Sequence, residues 1–319
     1  MQKIHLLIIS TLLFFFSCSQ PNKTDKIKIA TLKGPSAMGM IKMIDSLNNV
    51  SDANIEITIY NEPLQIRKLM LEGEVDFALL PTTMGAILYN KGVPYQLAAI
   101  PVWGTLYLFG NDTTISSWHD LNNKRIHLMA KGMTPDVLFK YLLAKNNIDP
   151  ENDVILDYSF PTHVDLANAI AANKAELGVI SEPLVSLVIQ KNNKVRPIFD
   201  LNKEWNVINP DIPLAQTSFL VKTDFAKNHK DIIHQICKSY KRSTSWVNDN
   251  LTEAAALIVK YNVLPSTAVA ESSIPRSNLK FIEANTIKNQ ISDYLQIFYT
   301  MNPNIVGGKI PDDNFYLKE

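Results

Sequence analysis

The apolar positions along this chain fall into short runs, and a stretch with helical spacing follows each run. Residues 75–80 are the clearest case, apolar apart from Asp76, as in a strand covered on both faces. Strands are predicted over 27–32, 55–60, 75–80 and 96–109, the last broken at Pro101 and Gly104. Helices over 36–47, 63–72 and 82–90 lie among them. This β-α-β-α-β order predicts a mostly parallel sheet.

The pattern then starts again. Strands over 125–130, 154–159 and 176–180 alternate with helices over 135–146, 163–173 and 183–191. Lys26-Ile27-Lys28-Ile29 and Lys33-Gly34 match Lys124-Arg125-Ile126-His127 and Lys131-Gly132 at an offset of 98. Glu72-Gly73-Glu74-Val75-Asp76-Phe77 parallels Ala172-Asn173-Lys174-Ala175-Glu176-Leu177 at an offset of 100. Two similar lobes follow from this repeat; the competing arrangement is one long sheet. After Pro210 and Pro213 a strand returns over 216–222, and beyond it the chain reads helical over 231–246, 252–261 and 285–299. The return implies two connections between lobes, near 111–116 and 215–218, which would restrict the lobes to hinge opening and closing. The expected layout is a first lobe over 27–114, a second over 115–215, and a return strand with C-terminal helices over 216–319 packing mainly on the first lobe.

The N-terminus changes the compartment. Lys3 precedes an apolar run over 4–16, shorter than the ~20 residues a membrane-spanning helix needs. With Ser17-Cys18 at its end, it reads as a secretory signal over 1–17. A cysteine placed there suggests lipid attachment at Cys18; an ordinary cleaved signal with a chance cysteine is the other reading. Residues 18–26 have the composition of a flexible tether. Cys237 is then the only other cysteine, so no disulfide can form within the mature chain, and a packed core must supply stability.

Charge is balanced, with 31 basic and 31 acidic residues, and no basic block points to nucleic acid. The six histidines show no metal-ligand spacing, and no P-loop, nucleophile elbow or dinucleotide fingerprint is present. Neither a metal nor a cofactor is expected. The informative residues sit where strands end and helices begin: Gly34-Pro35-Ser36, Asn61-Glu62-Pro63, Pro81-Thr82-Thr83, Gly132-Met133-Thr134-Pro135, Pro161-Thr162 and Ser181-Glu182-Pro183. In an open parallel sheet the ligand crevice lies beyond the carboxyl ends of the strands. If two lobes face each other there, free N–H groups and hydroxyls converge on the oxygens of a small anion. Any α/β protein also needs such residues as helix caps. Lys33 and Lys131 precede equivalent helices and either steer an anion or are solvated loop lysines. Trp103 offers a platform for an organic ligand or packs at the hinge. Met38, Met84 and Met133 suit an apolar ligand moiety or the core.

With its lipoprotein-like start, Lys33-Gly34-Pro35-Ser36, the 72–78 segment, Trp118-His119-Asp120-Leu121-Asn122-Asn123-Lys124, Gly132-Met133-Thr134-Pro135-Asp136 and Ser181-Glu182-Pro183, the chain resembles the substrate-binding proteins of the nitrate/sulfonate/taurine ABC importers. That family includes the thiamine-pyrimidine-precursor group. The resemblance implies a two-lobed type 2 periplasmic-binding-protein fold, each lobe a mixed, mostly parallel sheet flanked by helices. It implies a monomer tethered outside the membrane that closes on a small organic anion and delivers it to a permease and its ATPase. An enzyme on the same fold would need an acid or base in the cleft, and Asp136, His163 and Glu182 are the candidates. A ligand sensor for a membrane receptor is the third reading.

Overall fold

The computed structural model describes residues 26–50 and 54–318. The expected signal, Cys18 and the tether up to residue 25 lie outside the described residues. Two sheets organise the chain. The first has strands β1 (Ile27–Leu32), β2 (Ile55–Tyr60), β3 (Phe77–Pro81) and β4 (Tyr95–Trp103). The second has β5 (Leu106–Gly110), β6 (Arg125–His127), β7 (Ile155–Asp157), β8 (Leu177–Ser181) and β9 (Arg196–Asp200). Strand β10 (Ala215–Lys222) then returns to the first sheet, and β11 (Leu279–Glu283) closes its edge. The orders are β11-β4-β10-β3-β1-β2 and β7-β6-β8-β5-β9.

These orders make the two lobes near-copies. In the first sheet β1 lies between β2 and β3, parallel to both. In the second, β6 lies between β7 and β8 in the same way. The next strand in each lobe is antiparallel, β10 against β3 and β5 against β8, and the chain crosses between lobes to supply it. The turn before β3 has Gly73 at φ 69°, and the turn before β8 has Asn173 at φ 56°. Both are left-handed, which glycine and asparagine tolerate best. The repeat legible in the sequence is therefore a repeat of backbone geometry.

Helices cover the faces. In the first lobe these are α1 (Pro35–Gly39), α2 (Ile41–Asn48), α3 (Pro63–Glu72) and α4 (Thr82–Asn90). The second has α5 (Thr134–Lys145), α6 (His163–Ala171), α7 (Leu184–Lys191) and α8 (Leu201–Ile208). The C-terminal part adds α9 (Thr223–Asn228), α10 (Lys230–Asp249), α11 (Leu251–Lys260), α12 (Thr267–Ser273) and α13 (Lys288–Met301). Strand alternation sorts residues between layers. Leu106 and Leu108 of β5 face one core cluster, while Tyr107 and Phe109 face another. Likewise Phe77 and Leu79 of β3 face away from Ala78 and Leu80.

Several expectations change. The first crossing comes at Gly104–Thr105, ahead of the expected 111–116, because β5 already belongs to the second sheet. Pro101 does not end β4; the register against β10 shifts there, and a bulge tolerates the missing N–H. The C-terminal region is not wholly helical, since β11 buries Leu279 and Phe281 against the first lobe's core. A single helix over 36–47 is instead two, α1 and α2, broken at Met40. Ser243 of α10 fills the break: its hydroxyl donates to the Gly39 carbonyl at 2.8 Å and accepts from the N–H groups of Lys42 and Met43. Helix α13 also reaches the second lobe. Its Tyr294 and Phe298 rings lie 5.9 and 6.1 Å from Trp205 of α8.

Candidate functional site

Strands β1 and β3 are interior to the first sheet, and β6 and β8 are interior to the second. Their carboxyl ends carry four of the six predicted junctions, and these four are buried or half-buried. Strands β2 and β7 are sheet edges, and their junctions are exposed. Asn61 is exposed, and its N–H donates to the Gln65 side chain; the neighbouring Glu62 and Gln65 form a capping box for α3. Thr162 is exposed and accepts the Asp165 N–H at 3.1 Å, capping α6. These two hydroxyl or amide groups serve their own helices.

The inner junctions use their polar groups differently. The N-cap of α5 is Met133, and Thr134 is its first residue, so the Thr134 hydroxyl does not cap the helix. It meets the Thr83 hydroxyl of α4 at 2.8 Å across the two lobes. Both residues are buried, Thr83 at 1% and Thr134 at 8% exposure. Thr82, at the start of α4, is fully buried, and its Oγ1 has no protein partner; Thr31 of β1 is in the same position. Unpaired buried hydroxyls are costly, and most such groups in folded proteins find a partner. Helix α4 also has no side-chain cap, so its first N–H groups and partial positive charge face the same region.

Gly34 has φ 116°, open to glycine alone without strain. A Cβ there would lie 3.3 Å from Pro183 Cδ, so the first lobe's β1–α1 turn touches the second lobe's β8–α7 turn. Pro35 is half-buried, and Ser36 is buried, with its carbonyl held by the Tyr240 hydroxyl of α10 at 3.0 Å. Gly132 has φ 80° and donates its N–H to Asp136 Oδ2 at 2.6 Å. Met133 and Ser181 are half-buried. Lys33 and Lys131 are exposed, and the Lys131 ammonium lies 5.4 Å from the Tyr158 ring centroid. Met38 is fully buried in the core against β1, while Met84 keeps 8% exposure.

Glu182 is 2% exposed. Its Oε1 accepts from the Ser186 hydroxyl at 3.0 Å and lies 3.7 Å from Arg276 Nη1. Burial dominates these contacts and pushes its carboxyl up to about 7. The other acid–base candidates are engaged or silenced. Asp136 accepts from the Tyr158 hydroxyl at 2.6 Å and lies 3.7 Å from Lys140. His163 is held down to about 4 by burial, so it is neutral at physiological pH.

Below the cleft lies the hinge. Gly104 donates its N–H to the Leu214 carbonyl at 3.1 Å and accepts from Asn278 Nδ2 at 2.6 Å. Gln216 of β10 grips Thr105 twice: its Oε1 takes the Thr105 N–H and its Nε2 donates to Thr105 Oγ1, both at 2.6 Å. Trp103 packs here, 7% exposed, with its indole N–H given to the Lys280 carbonyl at 2.7 Å. Sequence reasoning missed Gln216, Asn278, Ser186 and Arg276. Only their place in the fold marks them, for each meets partners tens to hundreds of residues away.

Among the described residues no group of histidine, cysteine and acidic side chains is arranged to hold a metal ion, and no helix is long and apolar enough to cross a membrane. The geometry has counterparts in solved proteins. An ABC transporter from Parabacteroides distasonis is 24% identical and covers 92% of this chain and 99% of its own, with a TM-score of 0.81. The periplasmic aliphatic sulphonate binding protein SsuA from Escherichia coli is 16% identical with a TM-score of 0.73, covering 92% of each chain. The periplasmic nitrate-binding protein NrtA from Synechocystis PCC 6803 is 14% identical with a TM-score of 0.61, covering 88% of this chain and 83% of its own. These likenesses establish the two-lobed periplasmic-binding-protein fold. A Bacillus subtilis (strain 168) protein named as binding protein YtlA is 25% identical over 243 residues, 73% of this chain and 70% of its own. Residues 36–257, spanning both lobes and the return strand, match the family described as "ABC transporter, phosphonate, periplasmic substrate-binding protein". The chain therefore belongs to the phosphonate-type family of ABC transporter substrate-binding proteins, and its role is to bind a solute.

Proposed function

We propose that this chain is the extracytoplasmic receptor of an ABC importer and captures a small organic anion between its lobes by hinge closure. The observation that carries the reading is the Thr83–Thr134 hydrogen bond, which joins two helix starts from different lobes. In this reading Thr82, Thr83, Thr134, Ser36 and Ser181 present hydroxyls to the oxygens of a phosphonate, sulfonate or carboxylate. The uncapped start of α4 adds N–H groups and partial positive charge, and the buried Thr82 hydroxyl has a donor to offer. Half-buried Met133 lies beside the apolar part of the ligand. The family name and the oxyanions in the relatives' names favour this class over a pyrimidine.

Closure requires a ligand that binds the closed form better than the open one. A thermal-shift screen of phosphonates, sulfonates, carboxylates and pyrimidines selects the ligand, and titration calorimetry then measures it. Each of Thr83→Ala and Thr134→Ala lowers affinity about tenfold, the worth of one well-placed hydrogen bond. Unchanged affinity in both variants would remove this site. The reading also holds that Cys18 carries a lipid and that a permease with its ATPase receives the closed, monomeric protein. Cys18→Ser should move the protein from the membrane fraction to the soluble one.

A further inference from the structure

The start of α7 belongs to the second lobe, and the α12 turn belongs to the first. Six polar side chains bridge them. Arg276, in the turn after α12, donates from Nη1 to the Ser272 carbonyl at 2.9 Å and to the Ser272 hydroxyl at 2.7 Å. The same Nη1 lies 3.2 Å from the Ser186 hydroxyl of α7 and 3.7 Å from Glu182 Oε1. Ser186 lies 3.3 Å from the Ser272 hydroxyl and donates to Glu182 Oε1. One turn further along α7, Gln190 reaches the Ser266 hydroxyl that caps α12. The guanidinium is thus fixed on its own lobe by Ser272 and aimed at a carboxylate on the other. The Tyr107 hydroxyl of β5 holds the Arg276 carbonyl at 3.1 Å, a further tie between the lobes.

We propose that Glu182 and Arg276 form an interlobe latch in which Arg276 is a positioning residue, setting how far the cleft closes and how often, without touching the ligand. The latch rests on the hinge-closure reading above. Its physical basis is the cost of burying a lone charge. Closing takes Glu182 out of water, and among the described residues only Arg276 supplies an opposing charge; the other groups facing it are the hydroxyls of Ser186 and Ser273 and the neutral phenol of Tyr107. Removing one member of a buried pair costs far more than removing both. A protonated Glu182 needs no counter-charge, which its raised carboxyl makes accessible near neutral pH.

The test uses spin labels at exposed Leu64→Cys and Val164→Cys, one on each lobe, in the full chain carrying Cys18→Ser and Cys237→Ala. Pulsed dipolar distances are read at about pH 5.5 and about pH 8, either side of the Glu182 titration. Arg276→Met is expected to cut the short-distance population about tenfold at the higher pH. Lowering the pH, adding Glu182→Gln, or using Arg276→Lys in its place restores much of it. Circular dichroism confirms that each variant is folded, and the Arg276→Lys and double variants carry the test if Arg276→Met does not fold. If Arg276→Met keeps the parent distribution while Thr83→Ala shifts it, the latch is overturned and closure stands. If no variant, and no phosphonate or sulfonate at saturating concentration, changes a single fixed distance, closure itself fails and the latch with it.

Discussion

Gly104 offers the sharpest test of the hinge geometry. An alanine Cβ there would lie 2.5 Å from Leu214 Cδ2, 2.6 Å from Asn202 Oδ1 and 2.7 Å from Asn202 Cβ. Comfortable carbon contacts are ~3.5–4.0 Å, so three atoms are about 1 Å too close. Asn202 Cβ, bonded directly to the backbone, is the least able to yield. Leu214 is 2% exposed and precedes β10. Asn202 lies in the first turn of α8, where its N–H is held by Asp200 Oδ1 at 3.0 Å. Overpacking of this kind costs about 1–3 kcal/mol, and the rigid surroundings put Gly104→Ala at roughly 2–3 kcal/mol. At about 2 °C per kcal/mol for a chain of this size, the melting temperature falls about 5 °C. Urea unfolding and calorimetry measure both. Gly92→Ala is the control, because Gly92 has φ 82° and a methyl added to it would meet nothing within 4 Å. It isolates backbone strain, worth about 1–2 kcal/mol. A Gly104→Ala protein no less stable than the Gly92→Ala protein would refute the packed-hinge reasoning.

Three further outcomes follow from named contacts. Glu182 is raised from 4.5 to about 7 on folding, so the folded chain binds this proton more tightly than the unfolded chain. Stability from this group is full below about 4.5 and declines by about 3 kcal/mol as pH rises to about 7. Glu182→Gln should abolish that slope in urea titrations; the difference from wild type matters, because His163, held near 4, contributes the opposite slope below about 6.5. Trp205→Ala empties the contact between α8 and α13, where the ring is fully buried against Tyr141, Tyr294 and Phe298, and should cost about 3–5 kcal/mol by calorimetry. Thr162→Ala should cost about 1 kcal/mol, the value of a lost cap, and leave ligand affinity in calorimetry unchanged.

The sequence by itself determined the architecture. Period-two and period-3.6 patterns marked most strands and helices, and the offset of 98 to 100 residues revealed the repeat, because each lobe needs the same β-α-β-α-β unit with a left-handed turn at Gly73 or Asn173. Short elements escaped it. In β9 and β11, five residues each, apolar spacing fits strand or helix equally well. Only the tertiary structure decided which junctions matter. Six helix starts look alike in sequence, yet Asn61 and Thr162 end edge strands and remain exposed, while Thr83 and Thr134 follow interior strands and meet across the cleft. Strand order separates them, and strand order is set by long-range pairing that no local pattern encodes. The same holds for Arg276 and Gln216, whose partners lie 90 and 111 residues away along the chain. A side chain's chemistry is local, but its neighbours are chosen by the packing of the whole molecule.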